Sequence, residues 1–448
     1  MTNAAATGPR RDDGDGQPPR RGSRGLGVLA AAIVAMFLTG PGQTIGVSVF
    51  IDEFVTALDI TRAQVSTAYL IGTLSASLLL PIVGRQIDRF GVQRSQIVIG
   101  LVFGLALLNI SFVAGIVTLT IGFFGIRLMG QGSLSLVAGV TVSLRFTKSR
   151  GTALGIFTTV AAGLLALMPV FLATAIGWVG WRDAWRLAGL VVAIVVPLLA
   201  FVALRDMPSS ATAASAKSSA STDQSLNDSA SDEVAVDAEP VGRSVDRNEA
   251  IRTRGFWIIA AATAASGMLA TALTFHQIDV LGDIGLSKEE AAAMFLPQVV
   301  GSSIAGLSVG AAADRIGVRF LPALAGTLLV VAHLLASAVS PGVMVFAYAV
   351  VLGAAGGATN TMASTLVPLW FGTEHLGSIQ GTLRVMNSGS SALGPVALAL
   401  LESRLGSYPP AILVLACLAV ASTLFALLPP FGGAPAPALA TDERAESR

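Results

Sequence analysis

Gly84-Arg85-Gln86-Ile87-Asp88-Arg89-Phe90-Gly91-Val92 is repeated in outline as Gly310-Ala311-Ala312-Ala313-Asp314-Arg315-Ile316-Gly317-Val318. Gly, Asp, Arg, Gly and Val recur at the same offsets, and the two Asp residues stand 226 positions apart (314 − 88), about half of the 448-residue chain. Each copy lies between two long apolar runs. A duplicated half with a charged turn in the same place is a common plan for secondary carriers.

Composition points the same way. Apolar residues are 53% and charged residues 12%, against about 25% charged in an ordinary soluble chain. So little charge cannot cover a soluble surface. Gly and Ala abound, as close helix packing in lipid favours. The net charge of +1 gives no nucleic-acid footprint. The single Cys417 rules out an internal disulfide and any multi-cysteine metal site. With three His and no H-E-x-x-H, no metal is expected, and no cofactor motif is present. Gly25-Leu26-Gly27 has no strand before it and is not a dinucleotide turn.

A spanning helix needs about 20 mostly apolar residues. On that criterion twelve are expected, near 26–51, 65–83, 95–115, 117–143, 152–177 and 185–204, then near 255–279, 290–309, 320–338, 342–370, 378–401 and 409–430. The fold class is therefore an all-α membrane protein of two six-helix bundles, 26–204 and 255–430. Residues 1–25 and 431–448 are expected to be tails. Residues 205–254 read as a linker, because Ser209 to Asp232 is too poor in large apolar residues to bury a core.

Lys and Arg set the orientation. With both termini in the cytoplasm, cytoplasmic tails and short loops hold fifteen and the linker six, against five in the outer loops (Arg62, Arg182, Arg186, Lys288 and Arg404). Only Arg127 and Arg384 remain inside spans. The expected location is the plasma (inner) membrane.

The G-x-x-x-D-R-x-G pattern resembles the signature loop of the major facilitator superfamily, between its second and third spans, with a repeat between the eighth and ninth. Arg127-Leu128-Met129-Gly130-Gln131-Gly132 is similar to the superfamily's R-x-x-x-Q-G pattern in the fourth span. Arg145-Phe146-Thr147-Lys148-Ser149-Arg150-Gly151 resembles the loop that follows. The resemblance covers about 26 to 430. It implies alternating access around a mid-membrane site. It makes Gly84, Asp88, Arg89, Gly91, Gly310, Asp314, Arg315 and Gly317 gate residues, with solvated topogenic loops as the plainer reading.

Within that superfamily, Gly40-Pro41-Gly42-Gln43, Phe275-His276-Gln277 and Leu376-Gly377-Ser378-Ile379-Gln380-Gly381 resemble the monocarboxylate and oxalate/formate group. One departure is that the eighth span holds no Arg. The fifth span lacks the G-x-x-x-G-P pattern of drug–proton antiporters; its only Pro is Pro169.

Acids are informative by their absence. All 27 Asp and Glu fall in tails, loops or span ends; none lies mid-span, Asp279 and Glu402 coming nearest at the outer edge. An uncompensated Arg in lipid costs at least about 2.5 kcal/mol on insertion scales, so Arg127 and Arg384 should face the protein interior. A ligand anion would offset their charge. The expected substrate contacts are Gln43, Arg127, His276, Gln277, Asn360, Arg384 and Asn387. For Arg127 a bond to a neighbouring helix carbonyl is an equal reading. For each amide an interhelical hydrogen bond is the plainer one. His333 reads as a packed histidine.

The function expected is carriage of a small organic anion, a monocarboxylate by resemblance, by a monomer in the bilayer. Proton symport, uniport and exchange all fit. The rivals are a carrier of a drug- or vitamin-like solute and a non-transporting receptor or scaffold. An enzyme is not expected, since there is no P-loop, no G-x-S-x-G and no metal-ligand cluster.

Overall fold

The computed structural model describes residues 21–146, 150–205, 245–372 and 375–431. Side chains of 310–316 lie outside the described part, as do those of 21–24, 150–152, 376 and 377. Residues 1–20 and 432–448 and the Ser209–Asp232 core of the linker also lie outside it. Among the described residues the chain is helical without strands, and eleven helices are long and apolar enough to cross a membrane. The helix Leu376–Leu405 completes the twelve expected spans but is not among those eleven. Its apolar run is interrupted by Gln380, Arg384, Asn387, Ser388 and Ser391, which turn to a cavity.

The spans run Arg21–Phe37, Arg62–Phe90, Val92–Ile110, Ile116 to Arg145, Arg150 to Val179 and Trp181–Ala203 in the first half. In the second half they run Arg254–Phe275, Phe295–Ile316, Leu321–Ser337, Val343–Phe371, Leu376–Leu405 and Tyr408–Ala426. Two boundaries differ from expectation. The first helix begins at Arg21, inside the expected tail. The end of the linker is structured: Asp246 caps a helix Arg247–Ile251, and the wholly buried Val245 donates its N–H to Phe371 O.

The duplication seen in sequence is also a duplication of backbone. Gly91 and Gly317 close the second and eighth spans at φ 80° and 81°. Gly180 and Gly406, again 226 apart (406 − 180), close the fifth and eleventh at φ 79° and 78°. Each turns one span into the next in a left-handed conformation that a Cβ resists. Large apolar side chains face outward, Trp178, Leu307 and Val343 among the most exposed, as lipid requires. Where spans touch, small residues let backbones meet. A Cβ on Gly104 would come within 2.5 Å of Ala193 on the sixth span.

All the span ends fall on two faces. Both ends of the described chain, the ends of the second and tenth spans and the start of the seventh share one, here called the terminal face. The opposite, far face carries 58–62, 111–116, 279–288 and 405–408. The halves meet at the far face: Arg62 binds Asp279, Lys288 binds Glu53, and the Tyr69 and Phe275 rings lie 4.7 Å apart.

Candidate functional site

A cavity of about 880 Å³ lies between the halves. Its walls come from the second, fourth and fifth spans and from the seventh, tenth and eleventh. It reaches Ser143, Leu154 and Gln380, near the terminal-face ends of their helices. Its deep end is at Arg127 and Thr73, beneath the shut far face. A recess of about 170 Å³, lined by Thr263, Ser266, Thr359, Asn360 and Asn387, leads off into the second half.

Arg127 is placed by local irregularity. The fourth span widens to a π-helix over Arg127–Leu134, a distortion often found at functional sites. The first span breaks at the 3₁₀ turn Gly40–Gly42, and the fifth breaks before Met168-Pro169. The two breaks pack together, since a Cβ on Gly40 would overlap the Met168 side chain. The broken first span leaves Gly42 O free of its helix. Arg127 Nη1 donates to it at 3.3 Å and to Thr44 Oγ1 at 3.4 Å, while Nε donates to Thr73 Oγ1 at 3.1 Å. The guanidinium also lies over the Tyr69 ring, 4.8 Å from its centre. No carboxylate pairs with Arg127 among the described residues. The carbonyl-bonded role and the cavity-wall role therefore coexist in one side chain.

Of the other expected contacts, Asn360, Arg384 and Asn387 line the same cavity, on the tenth and eleventh spans. Arg384 is exposed to it. Arg127 and Arg384 are the only charged side chains among the described lining residues. Gln131, quoted in the fourth-span motif but not singled out as a contact, also lines the wall. Its Oε1 and Asn387 Oδ1 are buried without a partner among the described residues.

Three expected contacts are not in the wall. Gln43 caps the break in its own span, donating to Thr39 Oγ1 at 3.0 Å. His276 and Gln277 are wholly buried near the far face. His276 Nε2 donates to Pro395 O at 3.0 Å, and its Nδ1 meets Tyr408 Oη at 3.2 Å. Gln277 donates to Ala291 O and accepts from Gln298. The seventh span ends at Phe275, one residue before this pair, and that carries both side chains beyond the cavity.

The gate motif also sits differently from expectation. Gly84 to Arg89 belong to the last two turns of the second span, not to a loop, and only Gly91 makes the turn. A Cβ on Gly84 would meet nothing among the described residues. Asp88 and Arg89 are exposed there, Arg89 lying over the Phe90 ring. The side chains of Gly310, Asp314 and Arg315 lie outside the described part, and Gly317 makes the matching turn.

Residues that sequence reading had used only for orientation form the far-face seal. Arg62 Nε and Nη2 hold the two oxygens of Asp279 at 2.9 and 3.0 Å, in a bidentate pair between the halves. Arg62 Nη2 also binds Asp52, and Lys288 binds Glu53 at 2.9 Å. Asp279 accepts from Tyr408 at 3.3 Å. Burial opposes its charge, but hydrogen bonds from His276 and Arg62 and the Arg62 charge hold it well below the usual carboxylate range. A pair 217 residues apart leaves no trace in local pattern.

The chain is similar to several solved structures. One is a bacterial homologue of the human lysosomal transporter Spinster. In its inward-facing unoccupied form it is 18% identical, with a TM-score of 0.63 over 92% of this chain and 96% of that one. In its inward-facing occupied form it is 16% identical, with a TM-score of 0.66 over 92% and 97%. Another is a mutant of the nucleoside transporter NupG, 12% identical, with a TM-score of 0.68 over 90% and 99%. No curated protein sequence matches significantly. At these identities the solved structures speak for the fold. The sequence profile that matches residues 27–282 and 262–446 is that of the Major Facilitator Superfamily, and with nearly the whole chain covered, this protein belongs to it.

Proposed function

We propose that this carrier moves an organic anion by alternating access, and that the cavity between the halves is its binding site. One observation carries the reading: among the described residues the only charged side chains in the wall are two guanidiniums, Arg127 and Arg384, with no carboxylate beside them. A cation would enter an uncompensated positive field. An anion would relieve the cost of holding those charges away from water. Arg384 is the better ligand, because its guanidinium is exposed to the cavity while most of Arg127's donors are already used.

In this reading the terminal face is cytoplasmic, the membrane is the plasma membrane, and the conformation faces inward. The Asp88–Arg89 segment and its repeat act as the gate on the cytoplasmic side. The two six-helix units move about the cavity as the domains of a monomer, with Ser209–Asp232 as a tether. A monocarboxylate is the substrate class that the short motifs favour, with a coupling proton as partner. The cavity volume of about 880 Å³ favours a second reading, a larger vitamin-like solute, since such sites usually match their ligands closely in size.

Uptake of labelled solutes into proteoliposomes tests the proposal. Short carboxylates, larger organic acids, riboflavin and cationic dyes are compared in one preparation. Saturable uptake of a carboxylate, competed by other anions and not by dyes, is expected. Saturable uptake of a cationic dye that no carboxylate inhibits would sink it.

A further inference from the structure

The far face holds a titratable network that the cavity does not use. Asp52 and Glu53 open the helix Ile51–Leu58 of the first half, and Arg62 opens the second span. Asp279 lies on the helix Gln277–Gly282 of the second half, and Lys288 opens the next helix. Asp52 and Asp279 share one nitrogen, Arg62 Nη2, although they belong to different halves. Lys288 is taken by Glu53. Two carboxylates against one guanidinium leave one negative charge in excess, in a layer where the Asp279 side chain is 3% exposed.

His276 stands behind Asp279, its Nδ1 3.6 Å from Asp279 Oδ2. Its Nε2 donates to the Pro395 carbonyl and its Nδ1 meets the Tyr408 hydroxyl, so its partners all lie at the Asp279 end of the network. Asp52 is the group with access to water, its side chain being 41% exposed.

We propose that Asp52 is a proton-binding site that exists only while the far face is shut, so that a proton taken up there holds the two halves together. The carboxylate accepts a proton from water on the far side. As a carboxylic acid it no longer repels Asp279, and Arg62 turns wholly to Asp279. When the halves part, Asp279 leaves with the second half. Asp52 is then rehydrated beside Arg62 and returns its proton to the far-side water. Burial and the neighbouring Asp279 push the Asp52 carboxyl up to about 6 in the shut state. The sign follows: a group whose acidity is weakened only in the shut form binds protons more tightly there, so acidification from neutral pH favours closure. This inference rests on the carrier function of the family, not on the substrate being an anion.

The test needs no substrate. Spin labels at Ala57→Cys and Gly282→Cys, in a Cys417→Ala background, report the distance between the halves at the far face by double electron–electron resonance. Both sites have room, Ala57 being exposed and Gly282 having nothing near an added Cβ. In the purified protein the ratio of short to long distances should rise about tenfold from about pH 7 to about pH 4.5, allowing for the water that still reaches Asp52. Asp52→Asn, which imitates the protonated acid, should give the short distance throughout. A distribution that ignores pH in the otherwise unaltered protein would overturn the proposal, whatever the variants do. So would an Asp52→Asn variant that keeps the full pH response while His276→Gln loses it.

Discussion

Arg127 on the fourth span donates to the carbonyl oxygen of Gly42, 3.3 Å away in the break of the first span. The break frees a carbonyl that lipid could not satisfy, and the buried guanidinium needs an acceptor that lipid could not supply. Each is the other's solution. Arg127→Met should therefore lower stability by about 2–3 kcal/mol, as expected for losing hydrogen bonds to a buried charged group, and abolish transport. Arg127→Lys should recover little, since an ammonium cannot reach Gly42, Thr44 and Thr73 together. Thermal unfolding in detergent measures both. A melting temperature unchanged in Arg127→Met would show that the bond is incidental.

Arg384 should behave in the opposite way. It lies about 12 Å along its helix from Leu376, at 1.5 Å per residue, and is exposed to the cavity. Arg384→Gln should leave stability within about 0.5 kcal/mol of the parent's and nearly abolish anion uptake. Arg384→Lys should weaken apparent affinity about tenfold, because a lysine cannot grip a carboxylate bidentately. If the side chain merely reached to the headgroups, Lys would be neutral. Uptake kinetics normalised to inserted protein separate the two.

The two glycines of the repeated motif should differ sharply. Gly91 stands at φ 80°, so Gly91→Ala should cost about 1–2 kcal/mol through the left-handed backbone. Gly84 is an ordinary helical residue with open space at its Cβ, and Gly84→Ala should be neutral or slightly stabilising. Equal losses of stability in both variants would mean that this stretch bends in some other state of the cycle.

His333 should be dispensable. It is wholly buried in the ninth span, its Nδ1 donates to Leu329 O at 2.9 Å, and its Nε2 has no partner among the described residues. Replacement by Leu removes an unsatisfied acceptor. His333→Leu should hold stability or raise it by about 1–2 kcal/mol, with unchanged uptake. A loss of transport without a loss of stability would assign His333 a role that its position does not explain.

Length, hydropathy and the repeat were enough to establish from sequence a helical membrane protein in two related halves, because lipid leaves a spanning chain few options. The same scarcity of options marked Arg127, Arg384 and the break at Gly40-Pro41-Gly42: charge and irregular backbone in a span must face protein or a cavity. Local pattern could not say which polar groups share a wall. Asn360 and Asn387 reach the cavity, whereas His276 and Gln277 fall just beyond the end of a helix and pair at the far face. Nor could it show that Gly84 to Arg89 continue a helix. The far-face seal was the least legible of all. Arg62 and Lys288 read as loop charges, and only the packing of one half on the other brings them to Asp279 and Glu53. Spans are specified one at a time by their own apolar length, but a contact between halves is specified by the fold of both.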